Sequence, residues 1–204
     1  MERSSVLCSP WVHANSNRYP PDMKLLLTSL FLFSSLALAK NPAEEGPKII
    51  GEAFGHLSAA LAEAIARSGP AAALSVCSDR APKIAAEVGA AHGVKMRRAT
   101  EKPRNPENTA NAEETAVLTA FAEALAKNEA PKPQTKTNAD GSQTYFAPIV
   151  LGNPLCLQCH GEVGKEVAPD TLAAIQQLYP QDKATGYQIG DLRGLWRITF
   201  PITN

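Results

Sequence analysis

The chain has 204 residues, of which 44% are hydrophobic and 20% charged, and this length and composition suit one ordinary globular domain. Lysine plus arginine equals aspartate plus glutamate at 20 each, which argues against a nucleic-acid-binding surface and against a strongly charged docking face. Aromatic residues make up only 6% of the chain and alanine is abundant, which favours packed helices over a β-sandwich.

The N-terminal region carries the features of a secretory signal peptide. Met23 and Lys24 precede an apolar run over residues 25–36, and the small-x-small sequence of residues 37–39 follows. The apolar run is short for a membrane span, so we predict cleavage after Ala39 and a periplasmic protein. The alternative is an uncleaved membrane anchor, which would also hold the domain outside the cytoplasm. Residues 1–22 precede an already complete signal, so we expect the true start at Met23, with an extended n-region as the alternative.

Helical periodicity dominates the first part of the mature chain. Apolar residues recur at three- and four-residue steps over residues 49–65, which predicts an amphipathic helix that ends before Gly69. Pro70 suits the first turn of a second helix, which we expect to pass through Cys77 and to stop near residues 89–93.

Strand and turn signals follow in the second half. Residues 94–99 alternate like a strand, with Met96 and Arg98 on one face. Turn chemistry that ends at Gly141 separates a strand at Lys136 from one over residues 143–151 and predicts a hairpin. The closing strand, residues 191–200, is expected to pair with residues 143–151.

Two further helices are predicted between these strands. Residues 113–127 show helical periodicity, and Asn111 is a suitable N-cap. Residues 170–179 predict a short helix that is capped by Asp170 or Thr171 and ended by a proline.

The most specific pattern is Cys156-Leu157-Gln158-Cys159-His160. In a helical turn, two thiols three positions apart project to one side, so each can add across one vinyl group of the same porphyrin. His160 would then lie beneath the ring, where its imidazole can serve as the proximal iron ligand. The pattern therefore predicts one covalently attached haem c, with thioether bonds to Cys156 and Cys159.

A zinc site and a thioredoxin-like redox pair are the two alternatives to haem attachment at this pattern. A four-sulfur zinc site needs a second cysteine pair at ligand spacing, and the other cysteines are only Cys8 and Cys77. A thioredoxin-like redox pair needs a preceding strand, which residues 143–151 could supply. His160, directly after the second cysteine, favours haem over the redox pair.

Six segments together resemble a known family. They are Ser75–Cys77, Ala81–Ala85, residues 97–108, Tyr145–Pro148, Cys156–Gly161 and Gly190–Gly194. This combination is similar to the PAS-like, single-haem c-type domain family of exported bacterial proteins and of the periplasmic halves of some sensor kinases. The predicted elements and the resemblance agree on an α+β fold, a PAS-like antiparallel sheet flanked by helices with an N-terminal helical segment, in one domain over residues 40–204.

The distal iron ligand has four candidates in the mature chain, which are His56, His92, Met96 and Cys77. The resemblance implies Cys77 and therefore a His/Cys pair, in which the anionic thiolate would stabilise ferric iron and lower the reduction potential. The ordinary role of a lone cysteine is that of a small buried hydrophobe, and Met96 is the second candidate for the ligand. We expect the two histidines to face solvent or to cap helix ends.

A basic run lies between the predicted strand and the next helix. Arg97, Arg98, Lys102 and Arg104 could pair with the haem propionates, because guanidinium groups match carboxylates well. The alternatives are a solvated face and a loop that these arginines hold by hydrogen bonds to the backbone.

The functional expectation is a redox-active haem protein that transfers an electron or registers redox state. A haem with two protein ligands has no open position for substrate, so we do not expect an enzyme. One alternative is a gas sensor in which Cys77 dissociates and which signals through a separate partner, since no kinase segment follows Asn204. A peroxidase-like enzyme with five-coordinate iron is the other. We expect a redox partner protein, no nucleic acid, and membrane contact only if the signal is uncleaved.

Overall fold

The computed structural model of the chain describes residues 40–202. The predicted signal segment and the alternative start at Met23 lie outside these residues. The helices are α1 (Pro42–Ser75), a π-helix (Val76–Arg80), α2 (Ala81–Ala91), a 3-10 turn (Pro106–Asn108), α3 (Ala112–Ala126), α4 (Pro154–His160) and α5 (Pro169–Leu178). The strands are β1 (Lys95–Ala99), β2 (Gln134–Thr137), β3 (Gln143–Val150) and β4 (Leu192–Phe200).

The four strands form one antiparallel sheet in the order β1-β4-β3-β2. The predicted pairing of the closing strand is confirmed, since Tyr145 of β3 stands opposite Ile198 of β4. The other edge of β4 pairs with β1, where Arg98 stands opposite Trp196. Because helices flank this sheet, the predicted α+β arrangement is confirmed.

Side-chain alternation divides the core between the two faces of the sheet. One face packs against α1 and α2 through Tyr145, Trp196 and Ile198 of the strands. The other face packs against α3 through Phe146 and Leu195, the immediate chain neighbours of Tyr145 and Trp196. Each central strand therefore contributes apolar side chains to both layers, as expected for a sheet that is covered on both sides.

Helix α1 begins earlier than the sequence predicted, because Asn41 caps it and Pro42 occupies its first position. Close packing holds this first turn, since a Cβ added to Gly46 would lie 2.4 Å from the Tyr145 ring. The predicted interruption at Gly69 is confirmed, with φ +79° and ψ 173° inside an otherwise helical stretch. The chain therefore changes direction there before it reaches Cys77.

The stretch Pro42–Ala91 is long and apolar enough to cross a membrane if length and composition alone are considered. Both of its ends contribute to the core, through Ile49 and Ala53 near the beginning and Ile84 and Val88 near the end. The two ends of this stretch therefore pack on the sheet, whereas little of its apolar window is buried in the described part of the chain.

The smaller predicted elements differ in outcome. Asn111 caps α3 as predicted, in a reciprocal capping box with Glu114. Gly141 has φ +84° in the hairpin turn, which is also as predicted. The predicted caps of α5 are wrong, because the helix begins at Pro169 and its N-cap, Ala168, makes no side-chain hydrogen bond.

Candidate haem site

Helix α4 carries the Cys-x-x-Cys-His sequence and is short. The Oδ1 atom of Asn153 accepts a hydrogen bond of 2.9 Å from the Leu155 amide and so fixes where the helix begins. Residues three apart on a helix lie on one side, so the two thiols project together. Cys156 packs against the cluster that contains Ala184 and Tyr187, and Cys159 packs against the cluster that contains Leu74. Both thiols are free of disulfide bonds.

His160, the last residue of α4, is held in one orientation. Its Nδ1 lies 2.7 Å from the carbonyl oxygen of Ala184, which can only accept, so Nδ1 donates and Nε2 has no proton to donate. Burial holds the pKa of this imidazole well below its usual value, and the cations of Arg104 and Arg193 act in the same direction. The result is a neutral imidazole whose Nε2 can bind a metal, the form that an iron ligand requires.

Arg104 fixes the segment that supplies this carbonyl. Its Nε and Nη2 donate to the two carboxylate oxygens of Asp182 at 3.0 and 3.2 Å. Nη2 also donates to the carbonyl oxygens of Cys159 at 2.6 Å and Ala184 at 3.3 Å. The side chains of this ion pair are only 7% and 9% exposed. Arg104 therefore already has a carboxylate partner, and we do not assign it to a haem propionate.

Cys77 lies on the π-helix between α1 and α2. Burial raises the pKa of its thiol, while the cations of Arg98, Arg104 and Arg193 oppose that rise. The same three arginines act on the pKa of His160. Cys77 also contributes to the raised pKa of Cys159, about 11, for which burial is the main cause. Cys77, His160 and Cys159 therefore each lie within electrostatic reach of at least one of these cations, and we call Arg98, Arg104 and Arg193 the cationic region.

Arg98 and Arg193 supply positive charge to this region without a matching carboxylate. No aspartate or glutamate among residues 40–202 lies within ion-pair distance of either guanidinium. Arg98 stacks over Trp196 at 5.8 Å, and Arg193 stacks over Tyr187 at 5.5 Å. Burial lowers the pKa of both guanidinium groups. Both side chains are half-buried, and a cation that is partly removed from water without a carboxylate partner favours a bound anion.

The structure separates Arg97 from its neighbour Arg98. Successive side chains of a strand point to opposite faces, and Arg97 points toward α3. There its Nη1 donates to both carboxylate oxygens of Glu114, at 3.1 and 3.2 Å. Since that carboxylate occupies it on the other face of the sheet, we do not assign Arg97 to haem.

The remaining candidates lie at the edge of the site or away from it. The Lys102 ammonium is 5.5 Å from the Tyr187 ring centre, on a residue that is exposed. Met96 packs in the core near Gly89 and the sheet. His92 pairs with Glu52 through Nε2 at 2.8 Å, and His56 is exposed on α1. Cys77, whose pKa Arg98, Arg104 and Arg193 all affect, therefore stays the favoured distal candidate.

Sequence reasoning missed three residues of this site, which are Arg193, Tyr187 and Asp182. Arg193 donates to Thr100 Oγ1 at 3.1 Å and to the Lys102 carbonyl at 3.3 Å, which joins β4 to the basic loop. Tyr187 presents its ring edge-on to His160, with centroids 6.3 Å apart. The one available signal was that Arg193 belongs to the Gly190–Gly194 segment of the resemblance.

The residues present fit a covalently attached haem. They offer two free thiols on one side of a helix, a neutral imidazole with a free nitrogen, a second sulfur and two cations for two propionates. The Gln158 Oε1 atom, inside the motif, is buried without a hydrogen-bond partner. A thioredoxin-like pair could also occupy this strand-then-helix context, but a dithiol explains neither the oriented imidazole nor the unpaired cations. Residues 40–202 contain no cluster of three His, Cys, Asp or Glu side chains that would suit zinc.

Comparison with known proteins agrees with a haem site. The chain is similar to the crystal structure of the cyanobacterial heme-protein Tll0287, with a TM-score of 0.58 and 28% sequence identity. The similarity covers 79% of this chain and 97% of that one. No curated protein matches the chain. A family model described as Tll0287-like matches residues 20–201, and the chain therefore belongs to the Tll0287-like family.

Proposed function

We propose that the chain is an exported, redox-active protein that carries one covalent haem c through Cys156 and Cys159, with His160 and Cys77 as the axial ligands. The observation that carries this proposal is the orientation of His160, whose Nδ1 is bound to Ala184 and whose Nε2 is left free beside two free thiols. The similarity to a cyanobacterial heme-protein gives independent support.

When bound, haem supplies one-electron chemistry at its iron. The residues of the chain decide how that chemistry is used. If His160 and Cys77 both held the iron, no position would stay open for a substrate, which supports electron transfer or redox sensing as the proposed role. A thiolate donor at Cys77 would favour the ferric state and a low reduction potential. Iron would lower the pKa of the Cys77 thiol, against the effect of burial.

Arg98 and Arg193 are the proposed partners of the haem propionates, and Lys102 is a solvent-exposed third. Two carboxylates would neutralise the two desolvated guanidinium groups that have no carboxylate among residues 40–202. This pairing would offset the cost of burying the cations and would hold the haem in one orientation.

Export and the choice of partner complete the proposal. The signal features of residues 23–39 support a periplasmic protein that meets a redox partner there.

The decisive experiment is to produce the full chain in a bacterium that matures c-type cytochromes. We expect a coloured periplasmic protein whose mass exceeds that of the processed polypeptide by one haem, and a low-spin thiolate signal in electron paramagnetic resonance of the ferric form. The Cys77→Ser variant should lose the thiolate signal and keep the haem. Met96→Leu is the matched control and should keep both.

The outcomes separate the parts of the proposal. A colourless wild-type protein without added mass would overturn haem attachment. A thiolate signal that survives in Cys77→Ser would leave the haem in place and remove Cys77 as its ligand.

A further inference from the structure

The carbonyl oxygen of Ala184 receives two donors at once. His160 Nδ1 lies at 2.7 Å, and Arg104 Nη2 lies at 3.3 Å from the same oxygen. Ala184 is fully buried, and its own amide donates to Asp182 Oδ1 at 3.1 Å. Asp182, Ala184 and Arg104 therefore form one connected unit behind the imidazole.

The segments on both sides of the hydrogen bond between His160 and Ala184 are also held in place. Arg104 holds the end of α4 through the Cys159 carbonyl at 2.6 Å. The chain that follows Ala184 is bonded to the motif by the amide of Tyr187, which donates to the His160 carbonyl at 2.9 Å. Because hydrogen bonds hold both sides of this contact, the imidazole has little freedom to rotate about its Cβ–Cγ bond.

The ion pair also sets the charge behind His160. A guanidinium that shares the acceptor competes for its electron density, so it weakens the bond that would otherwise make the imidazole a stronger donor. Asp182 opposes that effect, because its carboxylate neutralises the guanidinium at 3.0 Å. Both side chains are almost fully buried, so solvent screens neither charge well.

We propose that Arg104 and Asp182 are positioning residues for His160, and that their balanced charges set the reduction potential of the group that His160 binds. This inference rests on the proposed function and deepens it. The two members of the pair have opposite effects. A cation near the redox centre favours the reduced state, which carries one more electron, whereas a carboxylate favours the oxidised state.

The test compares variants of the haem-loaded protein that each remove one charge. We expect Arg104→Gln to lower the midpoint potential and Asp182→Asn to raise it, in a potentiometric titration followed optically. The double variant should return toward the wild-type value, since the two effects are coupled. Lys183→Gln removes the same charge from an exposed neighbouring position and should leave the potential unchanged.

A purely structural role would give a different pattern, since loosening the segment from either side would shift the potential in one direction. Shifts of the midpoint potential with the same sign in both variants, or no shift in either, would overturn the inference. The proposed function would remain if the wild-type protein still contained haem. Failure of haem attachment in the wild-type protein would instead overturn the proposed function. If Arg104→Gln does not fold, Arg104→Lys replaces it. The inference then requires that Arg104→Lys keep the wild-type midpoint potential and alter the g-values of the ferric signal. The midpoint potential of Asp182→Asn must still rise.

Discussion

Two neighbouring arginines of β1 have opposite surroundings. Arg97 points toward α3, where it meets the fully buried carboxylate of Glu114 and two backbone carbonyls. Arg98 points to the other face, where it stacks over Trp196 and has no carboxylate within ion-pair distance in the described part of the chain. Arg97 therefore has its carboxylate partner within the polypeptide, whereas the described part of the polypeptide supplies no such partner for Arg98.

This contrast distinguishes charges that stabilise the fold from charges that are available to bind a ligand. A buried carboxylate with several donors contributes to stability only as long as its partner remains. A desolvated cation without a carboxylate lowers stability until an anion arrives. The α3 face should therefore respond to mutation through the free energy of unfolding, and the face that carries Arg98 should respond through the properties of the bound haem.

The largest expected effect is on the α3 face. Glu114→Gln removes the charge that faces Arg97 and weakens the capping box of α3. We expect the free energy of unfolding to fall by about 2 kcal/mol, because the hydrogen bonds from Arg97 and the Asn111 amide to this carboxylate are weakened while the half-exposed Arg97 keeps contact with solvent. Urea denaturation of the haem-loaded protein measures this loss, and the midpoint potential should stay at the wild-type value.

Glu113→Gln is the matched control for that variant. Glu113 is adjacent in the chain but partly exposed, and it pairs with Lys136 and Arg197 near the surface. Its loss should cost less than about 1 kcal/mol. Equal losses at the two positions would show that burial of Glu114 does not distinguish the α3 face.

At Arg98 we expect a smaller change in the free energy of unfolding, together with a change in the midpoint potential. Arg98→Leu removes a half-buried cation that would pair with a haem propionate and not with a carboxylate of the polypeptide, and it keeps a bulky apolar side chain beside Trp196, so the free energy of unfolding should change by only about 1 kcal/mol. The midpoint potential should fall, because a cation near the redox centre is lost. Urea denaturation and a potentiometric titration give the two quantities.

Arg97→Leu is the comparison variant, since it removes the same charge one residue earlier. It should lower the free energy of unfolding by about 2 kcal/mol, because Glu114 remains buried with only Arg197 near it, at 4.0 Å. The midpoint potential should not move. If both arginines shifted the potential equally, the separation of the two faces would fail.

Local signals in the sequence predicted much of the fold and the centre of the site. The helical repeats, the Asn111 cap, the Gly141 turn and the Cys-x-x-Cys-His sequence each depend on residues close together in the chain. Alternation along β1 also placed Met96 and Arg98 on one face. Which face would hold the site depends on how β1 pairs with β4, about a hundred residues later.

The missed features depend on distant contacts. The partner of Arg104 is Asp182, and a backbone carbonyl at Ala184 orients His160, which no pattern of residue types reveals. The early start of α1 was missed because residues 40–46 are polar and lack the apolar period, although Asn41 and Pro42 form a recognisable helix start. The caps predicted for α5 failed because the Asp170 side chain accepts from the Thr171 amide instead.

The smallest expected effect tests the route by which α1, packed on the sheet, reaches Cys77. Gly69 has φ +79° and ψ 173°, which only glycine adopts readily, and a Cβ there would contact nothing within 4 Å. Gly69→Ala should therefore lower the free energy of unfolding by about 1 kcal/mol through backbone strain alone. It should also reduce the low-spin thiolate signal, because alanine before Pro70 does not readily keep φ +79°, and any change of this bend would move the segment that carries Cys77.

Gly51→Ala is the control, because it adds the same methyl group where the backbone is regular helix. Gly51 also has open space around its Cα, but it lies inside the regular part of α1. Alanine there should raise the free energy of unfolding by about 0.5 to 1 kcal/mol and leave the thiolate signal intact. Because both changes add one methyl group, only the bend at Gly69 can account for opposite signs. The same sign in both variants would mean that the position of Cys77 does not depend on that bend.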